Sequence, residues 1–464
     1  MKMLRGSRSS RVLGEQLALI TEDTQPEPPT SGNGHATFSD PAFAVNKTLP
    51  MHRWVPWIAG FSSDFVQDTF RRHLSGGGVV LDPFAGVGTT LVEAILQGHR
   101  AIGFEINPYA ALACRTKLNA YRISVGALHE ETARFRMFWE EKASSGYSPH
   151  SLPPPGFKTR AAFYSPRVLR PVLILQDFIE TIEDTSLRDL FRLAFASTMM
   201  RYSNYSYEPS LGRRVAAGRE EIHDFPVFQT ILDKLREMGD DIEWLKQHLP
   251  KGEPQSQVIG DSFLHYQDHL RPESVDLLVT SPPYLNNYHY NRNTRPQLYW
   301  LGLAHQPRDF HELEQLNFGK FWQTVRELPL VDLGFALPET DIAARLEALR
   351  ALNPEMGIYG GNGWANYAAS YFNDCYRFAQ GIACVLRPGG AALVVIGNSI
   401  LHGILIPTDV YFGRIAASHG LELVEIHIPR ATRVGNSIIK SEVRVAKAER
   451  SHQLYEAVVE LRKR

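Results

Sequence analysis

A glycine-rich turn between a strand-like and a helix-like pattern constrains the fold of this chain more than any other feature. In GGGVVLDPFAGVGTTLVEAILQGHRAIGFEINPYAALACRTKL (76–118), apolar runs at 79–82 and 101–105 alternate with two helical patterns, the first at 91–96 and the second opened by an Asn-Pro pair. Such an alternation of strands and helices implies a parallel sheet covered by helices. The sequence therefore predicts an α/β fold.

The same alternation returns late in the chain. Strands are predicted at 257–261 and 274–280, a long amphipathic helix at 367–385, a turn at 386–390, a strand at 391–399, and two closing strands at 420–429 and 441–448 with only a short tail after them. The expected organisation is a leader without stable structure at 1–45, a catalytic domain at 46–119 and 251–450, a largely helical insertion at 120–250 and a second insertion at 285–363 within the catalytic domain. The two insertions are the candidates for contacting a partner.

The composition excludes several classes of protein. Lys and Arg total 49 against 50 for Asp and Glu, so any surface for a polyanion must be local. The three cysteines form no CxxC pair and the histidines do not cluster, which predicts no metal site and fits a reducing cytoplasm. No apolar run approaches the roughly 18 residues of a membrane span, and the N-terminus lacks the apolar core of a secretory signal.

The glycine-rich turn has the features of a nucleoside-binding loop. Gly86 and Gly88 allow a ligand to approach the backbone closely, and the N–H groups at the start of the next helix, at Thr89 and Thr90, can bind a polar or anionic group. Glu105, at the end of the next strand, can accept both hydroxyls of a ribose. A dinucleotide loop would have a third glycine where Leu91 stands, and the G-K-[ST] of a P-loop is absent.

A second candidate site follows the apolar run VDLLV, in the stretch TSPPYLNNY (280–288). Neither Pro282 nor Pro283 has a backbone N–H, so the strand must end there and continue as a rigid loop. In an open parallel sheet, ligands bind at the carboxyl ends of the strands. The loop is therefore predicted to line a binding site.

Together, DPFAGVGTT and TSPPY resemble the S-adenosylmethionine-dependent amino-methyltransferases that act on DNA, in particular the family specific for the N4 amine of cytosine. The resemblance implies a class I methyltransferase fold, Rossmann-like, with a mostly parallel seven-stranded sheet, and S-adenosylmethionine as the cofactor. It assigns cofactor contacts to Asp82, Pro83, Phe84, Gly86, Gly88, Thr89 and Thr90 in the loop, to Glu105 and Ile106 at the ribose, to Asp261, Ser262 and Phe263 in GDSF at the adenine, and to Phe61 and Ser62 in HRWVPWIAGFS at the methionine end.

The resemblance also implies catalytic roles for Ser281, Pro282, Pro283 and Tyr284. An aromatic amine is a poor nucleophile because its lone pair is delocalised into the ring. Acceptors on its hydrogens, here the hydroxyl of Ser281 and the carbonyl of Pro282, favour a pyramidal nitrogen that can attack the methyl group. The proline pair fixes these acceptors, and Tyr284 offers a face on which a flipped base can stack.

Alternative functions remain open. Methylation at ring carbon 5 of cytosine needs a nucleophilic cysteine, usually after a proline, and none of Cys114, Cys375 and Cys384 follows one. Adenine-N6 enzymes carry D/N-P-P-Y, so Ser281 favours cytosine without excluding adenine. Enzymes that methylate guanine amines in RNA share the turn, and a binding protein that keeps the fold without activity is a further alternative.

Three basic segments are the candidates for contacting duplex DNA. All three contain arginines, and the first two also contain several tyrosines, a mixture suited to phosphate contacts and base stacking. The candidate DNA-binding residues are Asn286, Tyr288, Arg292 and Arg295 after the proline pair, Arg213 and Arg214 in the helical insertion, and Arg430 and Arg433 between the closing strands. Because only a short tail is expected after the last strand, target recognition is assigned to the insertions. A companion restriction endonuclease and the oligomeric state are left open.

Overall fold

The computed structural model describes residues 38, 46–57, 60–144, 146–207, 211–285, 290–430 and 454–464. These residues fall into two compact units, an N-terminal unit within 39–281 and 288–317 and a C-terminal unit within 1–38, 282–287 and 318–464. Apart from Phe38, the predicted leader lies outside the described residues, and so do Asn286, Tyr288, Arg433 and the side chain of Arg430.

The N-terminal unit combines parallel strands with helices. Its helices and strands are α1 (Ser63–His73), β1 (Val79–Asp82), α2 (Thr89–Leu96), β2 (Arg100–Phe104), α3 (Pro108–Asn119), α4 (Val125–Ser144), α5 (Pro166–Glu180), α6 (Thr185–Thr198), β3 (Tyr205–Tyr207), β4 (Leu211–Arg213), α7 (Val227–His248), β5 (Ser256–Ile259), β6 (Val275–Thr280), α8 (Tyr290–Asn293), α9 (Arg295–Trp300) and α10 (Pro307–Leu316). Short 3₁₀ helices lie at His52–Trp54, Ala120–Arg122, Met199–Tyr202, Arg214–Ala217 and Phe263–Asp268.

Four of these strands run parallel in the order β5-β2-β1-β6. In β1 and β6, Val80, Leu81, Leu277 and Leu278 are fully buried, as expected for parallel strands covered on both faces. The parallel pairing brings the carboxyl ends of β1, β2 and β6 to one edge. This edge carries the glycine-rich turn, Glu105 and Ser281.

Local signals explain where the helices at this edge begin. The side chain of Asn107 accepts hydrogen bonds from the backbone N–H groups of Tyr109 and Ala110, and Pro108 occupies the first turn of α3, as the Asn-Pro pair predicts. Ser62 caps α1 in the same way by accepting from the N–H of Phe65. Both caps hold chain segments next to the glycine-rich turn.

Helices α4, α5, α6 and α7 make up most of the segment 120–250. Aromatic rings of α4, α5 and α6 form a shared core, in which the Phe135 ring centroid lies 4.8 Å from that of Phe178 and 6.0 Å from that of Phe191. The connection between α6 and α7 holds a short antiparallel hairpin of β3 and β4, which the sequence pattern did not indicate. The helical segment packs within the N-terminal unit, since α6 contacts α3.

The C-terminal unit contains the remaining elements: α11 (Trp322–Val325), α12 (Ile342–Arg350), a 3₁₀ helix (Pro354–Tyr359), α13 (Gly361–Val385), β7 (Leu386–Gly397), β8 (Ser399–Leu401), β9 (Ile404–Ile406), α14 (Thr408–Ser418), β10 (Leu421–Arg430) and β11 (Glu456–Lys463). Strand β11 lies between β7 and β10 and runs antiparallel to both. Strands β8 and β9 form a separate hairpin.

Two sequence predictions in this unit need correction. The segment 386–390 was predicted as a turn but belongs to β7, although pairing of β7 with β11 begins only at Ala391. The second closing strand was predicted at 441–448, which lies outside the described residues, and 456–463 was assigned to a tail. That tail forms β11, which pairs with β7 and β10, and its Val458 and Val459, on opposite faces of the sheet, are both fully buried.

The described strands include a mostly parallel seven-stranded sheet, in which β11 runs antiparallel to β7 and β10. This composition of strands confirms the predicted fold class, an α/β Rossmann-like class I methyltransferase fold. In the described part of the chain, no helix is both long and apolar enough to cross a membrane.

Candidate active site

The turn between β1 and α2 has a backbone that only glycine adopts readily. Gly86 and Gly88 have φ angles of +52° and +86°, and Gly88 is the N-cap residue of α2. A Cβ atom on Gly88 would lie 2.6 Å from the Sγ of buried Cys114. The turn therefore cannot carry a larger residue at Gly88 without rearrangement. The N–H groups of its two glycines are bonded within the protein, that of Gly86 to Glu105 and that of Gly88 to the carbonyl of Ala85.

Asp82 connects this turn to the end of β6. Its carboxylate is buried and accepts hydrogen bonds from the hydroxyl of Thr280 (2.6 Å) and the N–H of Phe84 (3.0 Å). Burial raises the pKa of Asp82 to about 6, against the opposing effect of hydrogen bonds from Thr280 and Thr90. Since Thr280 directly precedes Ser281, the start of the proline-containing loop is held at the glycine-rich turn.

Glu105 follows β2 and faces the same turn. Its two carboxylate oxygens accept from the N–H of Gly86 (2.8 Å) and the N–H of Asn107 (2.6 Å). Burial raises the pKa of Glu105 to about 8, and these two hydrogen bonds offset only part of the effect. Each oxygen keeps a lone pair that can accept a ribose hydroxyl. The glycine-rich turn and this acidic side chain fit the nucleoside of S-adenosylmethionine.

Asp261 is already engaged by two histidines. Its carboxylate oxygens lie 3.0 Å from Nδ1 of His265 and 2.9 Å from Nε2 of His269. Burial acts to raise the pKa of Asp261, but the hydrogen bonds from His269 and His265 outweigh it and lower the pKa below its usual range. Sequence reasoning missed the histidines, although their spacing of four and eight residues after Asp261 was a usable signal. The adenine role of Asp261, with Ser262 and Phe263, stays a prediction.

The segment before α1, comprising the described residues 46–57 and 60–62, crosses the glycine-rich turn; we call it the strap. Nε1 of Trp57 lies 3.1 Å from the position that a Cβ atom on Gly86 would occupy, so the indole covers this glycine. The ring of Trp57 also stacks on that of Tyr290, with centroids 6.0 Å apart. Phe61 is buried against Phe65. Sequence reasoning named Phe61 and Ser62 but missed Trp57, for which the second tryptophan of HRWVPW was the only signal.

Tyrosines of α13 hold the proline-containing loop within the C-terminal unit. The hydroxyl of Tyr371 donates to the carbonyl of Pro283 (2.9 Å), and that of Tyr367 donates to the carbonyl of Leu285. The hydroxyl of Tyr284 donates to a carboxylate oxygen of Glu456 (3.1 Å), which restrains the position of the side chain. Sequence reasoning missed Tyr367 and Tyr371, whose spacing of four places both on one face of a helix.

Most of the described candidate DNA-binding arginines have partners inside the protein. Arg213 forms an ion pair with Glu221 (3.0 Å), and Nε of Arg214 donates to the carbonyl of Glu220. Arg295 donates to the carbonyl of Lys158, and its guanidinium lies over the rings of Phe157 and Tyr299. Arg292 is exposed at the surface. Their roles in DNA binding stay predictions.

Comparisons with known proteins agree with this site. The protein-family model described as "DNA methylase" matches residues 59–114. These residues include the end of the strap, β1, the glycine-rich turn and Glu105. The type II methyltransferase M.BsoBI of Geobacillus stearothermophilus is 25% identical over 451 residues, covering 85% of this chain and 83% of that protein. M.AvaI of Nostoc sp. is 24% identical over 85% of this chain and 84% of its own length, and M.MvaI of Kocuria varians is 24% identical over 48% and 50%.

The family match therefore falls on the glycine-rich turn and Glu105, and the similarity to type II methyltransferases extends over most of the chain. S-adenosylmethionine is the methyl donor that both imply, and the glycine backbone and Glu105 fit it. The family model and these relatives support an S-adenosylmethionine-dependent DNA amino-methyltransferase.

Proposed function

We propose that this enzyme methylates the N4 amino group of cytosine at a specific site in duplex DNA. The observation that carries the proposal is the state of the two acceptors at the start of the proline-containing loop. Within the described residues, neither Oγ of Ser281 nor the carbonyl of Pro282 has a hydrogen-bond partner. Both follow directly on Thr280, which is bonded to Asp82 beside the glycine-rich turn.

Residues of the protein orient the target amine. When bound, S-adenosylmethionine supplies an electrophilic methyl group on its sulfonium. Ser281 and Pro282 accept hydrogen bonds from the two amine hydrogens and so favour a pyramidal, nucleophilic nitrogen. Two prolines limit the movement of these acceptors, and the hydrogen bond from Tyr371 to Pro283 stiffens the loop further.

Tyr284 is proposed to hold the target base. A base inside a duplex cannot reach such a loop, so it must leave the stack, at a cost of a few kcal/mol. The aromatic face of Tyr284 can recover part of this energy by stacking, and the hydrogen bond from its hydroxyl to Glu456 holds the side chain in place. We assign recognition of the surrounding sequence to the insertions at 120–250 and 285–363, which include Arg213, Arg214, Arg292 and Arg295.

The test is transfer of tritium from S-adenosylmethionine to duplex DNA, followed by digestion to nucleosides. We expect the label in N4-methyldeoxycytidine, because serine occupies the position that Asp or Asn holds in adenine enzymes of the family. Label in N6-methyldeoxyadenosine would contradict the base assignment, and label in RNA but not in DNA would contradict the polymer. A methylation map of DNA from an expressing host would then define the recognition site.

Variants separate catalysis from cofactor binding. Ser281→Ala removes one acceptor, so we expect kcat to fall on the order of 100-fold with the Kd for S-adenosylmethionine nearly unchanged. Tyr284→Ala should show the same pattern, whereas Glu105→Ala should mainly weaken cofactor binding. Full activity of the Ser281→Ala/Tyr284→Ala double variant would contradict the assignment of the catalytic loop.

A further inference from the structure

A buried carboxylate on the insertion helix α7 holds the strap at its N-terminal end. Oδ2 of Asp241 accepts hydrogen bonds from the N–H of Met51 (2.8 Å), Nε of Arg53 (3.2 Å) and Nε1 of Trp54 (2.9 Å). Its Oδ1 accepts from Nη2 of Arg53 (2.5 Å). Because Asp241 is only 1% exposed, these four hydrogen bonds replace water around the charge. Helix α7 is therefore bonded to three of the four consecutive strap residues 51–54.

The carboxylate also maintains a backbone conformation that the strap would not adopt alone. Met51 has a φ angle of +65°, in the left-handed region that side chains other than glycine rarely occupy. Met51 is the N-cap residue of the 3₁₀ helix His52–Trp54, and its N–H donates to Asp241. On the same helix α7, Nζ of Lys234 donates to the carbonyl of Arg53. The turn in the strap thus depends on contacts made by α7.

Further contacts of the strap lie within the strap itself, at helix α2 and at the glycine-rich turn. His52 is paired with Glu93 of α2 (2.8 Å), both buried, and the amide nitrogen of Asn46 donates to the carbonyl of Phe61 (3.2 Å). Trp57 covers Gly86, where the ligand must approach the backbone. The strap is therefore held by α7 at one end and reaches the glycine-rich turn at the other. Met51 and Asp241, which form the first of these contacts, are about 190 residues apart in the sequence.

We propose that Asp241 is a positioning residue for cofactor binding, through which the helical insertion places Trp57 and Phe61 of the strap at the glycine-rich turn. The inference deepens the proposed function, since it rests on the strap forming part of the S-adenosylmethionine site. Asp241 touches neither cofactor nor DNA in this role. Its effect reaches the cofactor through the four residues between Met51 and Pro56 and through the turn at Met51.

The test compares Asp241→Asn with Asp240→Asn in the full chain. Both changes remove one negative charge from α7, but Asp240 is exposed and Asp241 is buried. We expect Asp241→Asn to raise the Kd for S-adenosylmethionine, measured by calorimetry, on the order of tenfold, since one acceptor becomes a donor among four donors. KM for the cofactor should rise with it while kcat at saturating cofactor changes less than about twofold. Asp240→Asn should match the wild type, and Asp241→Glu should recover part of the affinity.

A second variant covers the case in which Asp241→Asn does not fold. The side chain of Arg53 is 30% exposed, and Arg53→Gln removes its two hydrogen bonds to Asp241 while the N–H of Met51 and Nε1 of Trp54 still donate to the carboxylate. The Kd should rise several-fold. An unchanged Kd in folded Asp241→Asn, or in Arg53→Gln where Asp241→Asn does not fold, would overturn the inference. Because calorimetry measures cofactor binding without turnover, this outcome is distinct from failure of the proposed methyl transfer, which the labelled-nucleoside assay reports.

Discussion

Glu105 has a carboxyl whose protonation should control cofactor affinity. Its pKa is about 8 in the folded chain against 4.5 for a free side chain, so the folded state retains a proton that the unfolded state releases as pH rises above 4.5. The raised pKa therefore costs stability progressively from about pH 4.5 to pH 8. Ribose hydroxyls donate hydrogen bonds and favour the ionised carboxylate, so binding below pH 8 must release this proton.

We accordingly predict that the Kd for S-adenosylmethionine falls as pH rises from 6.5 to 8, by at most about tenfold per pH unit, and levels off above pH 8. Glu105→Gln, which cannot ionise, should bind more weakly and without this dependence. Calorimetry in buffers of different ionisation enthalpy would count the proton released. A wild-type Kd that does not change over this range would show that Glu105 does not accept the ribose hydroxyls.

At the scale of elements, the start of α2 depends on Gly88 for two separable reasons. An alanine there must adopt a φ angle of +86° and must place its Cβ 2.6 Å from the Sγ of Cys114. We expect Gly88→Ala to lower the free energy of unfolding by about 1–3 kcal/mol for the backbone strain, and by more for the contact. The measurement is chemical denaturation, together with cofactor binding, which should be lost in parallel.

Gly252 provides the matched control for this prediction. Its φ angle is +111°, but a Cβ atom there would have no neighbour within 4 Å, so Gly252→Ala introduces strain without a contact. The Gly88→Ala/Cys114→Ala double variant should recover the part of the loss that comes from the contact. Equal stabilities of Gly88→Ala and Gly252→Ala would mean that α3 moves away from the turn at little cost.

At the scale of the whole molecule, the sequence predicted those features that depend on residues close together in the chain. The alternation of strands and helices, the glycine-rich turn and the cap at Asn107 are local, and each is present in the structure. Strand β11 was missed because a short apolar run near the end of the chain acquires strand structure only between two partners. Asp241 was missed for a related reason, since its partners are about 190 residues away and no periodicity connects them.

The near-neutral charge of the chain makes the salt dependence of DNA binding a test of where DNA lies. With 49 basic and 50 acidic residues, attraction to DNA must come from a few local contacts to phosphates. Arg292 on α8 is exposed and belongs to the segment that follows the proline-containing loop. We predict that Arg292→Ala reduces the slope of log Kd against log salt by about one and weakens binding to all DNA sequences similarly. Arg414→Ala, an exposed arginine on α14 outside both insertions and the three basic segments, should leave the slope unchanged. If both variants show the wild-type slope of log Kd against log salt, the segment after the proline-containing loop does not contact the DNA backbone at Arg292.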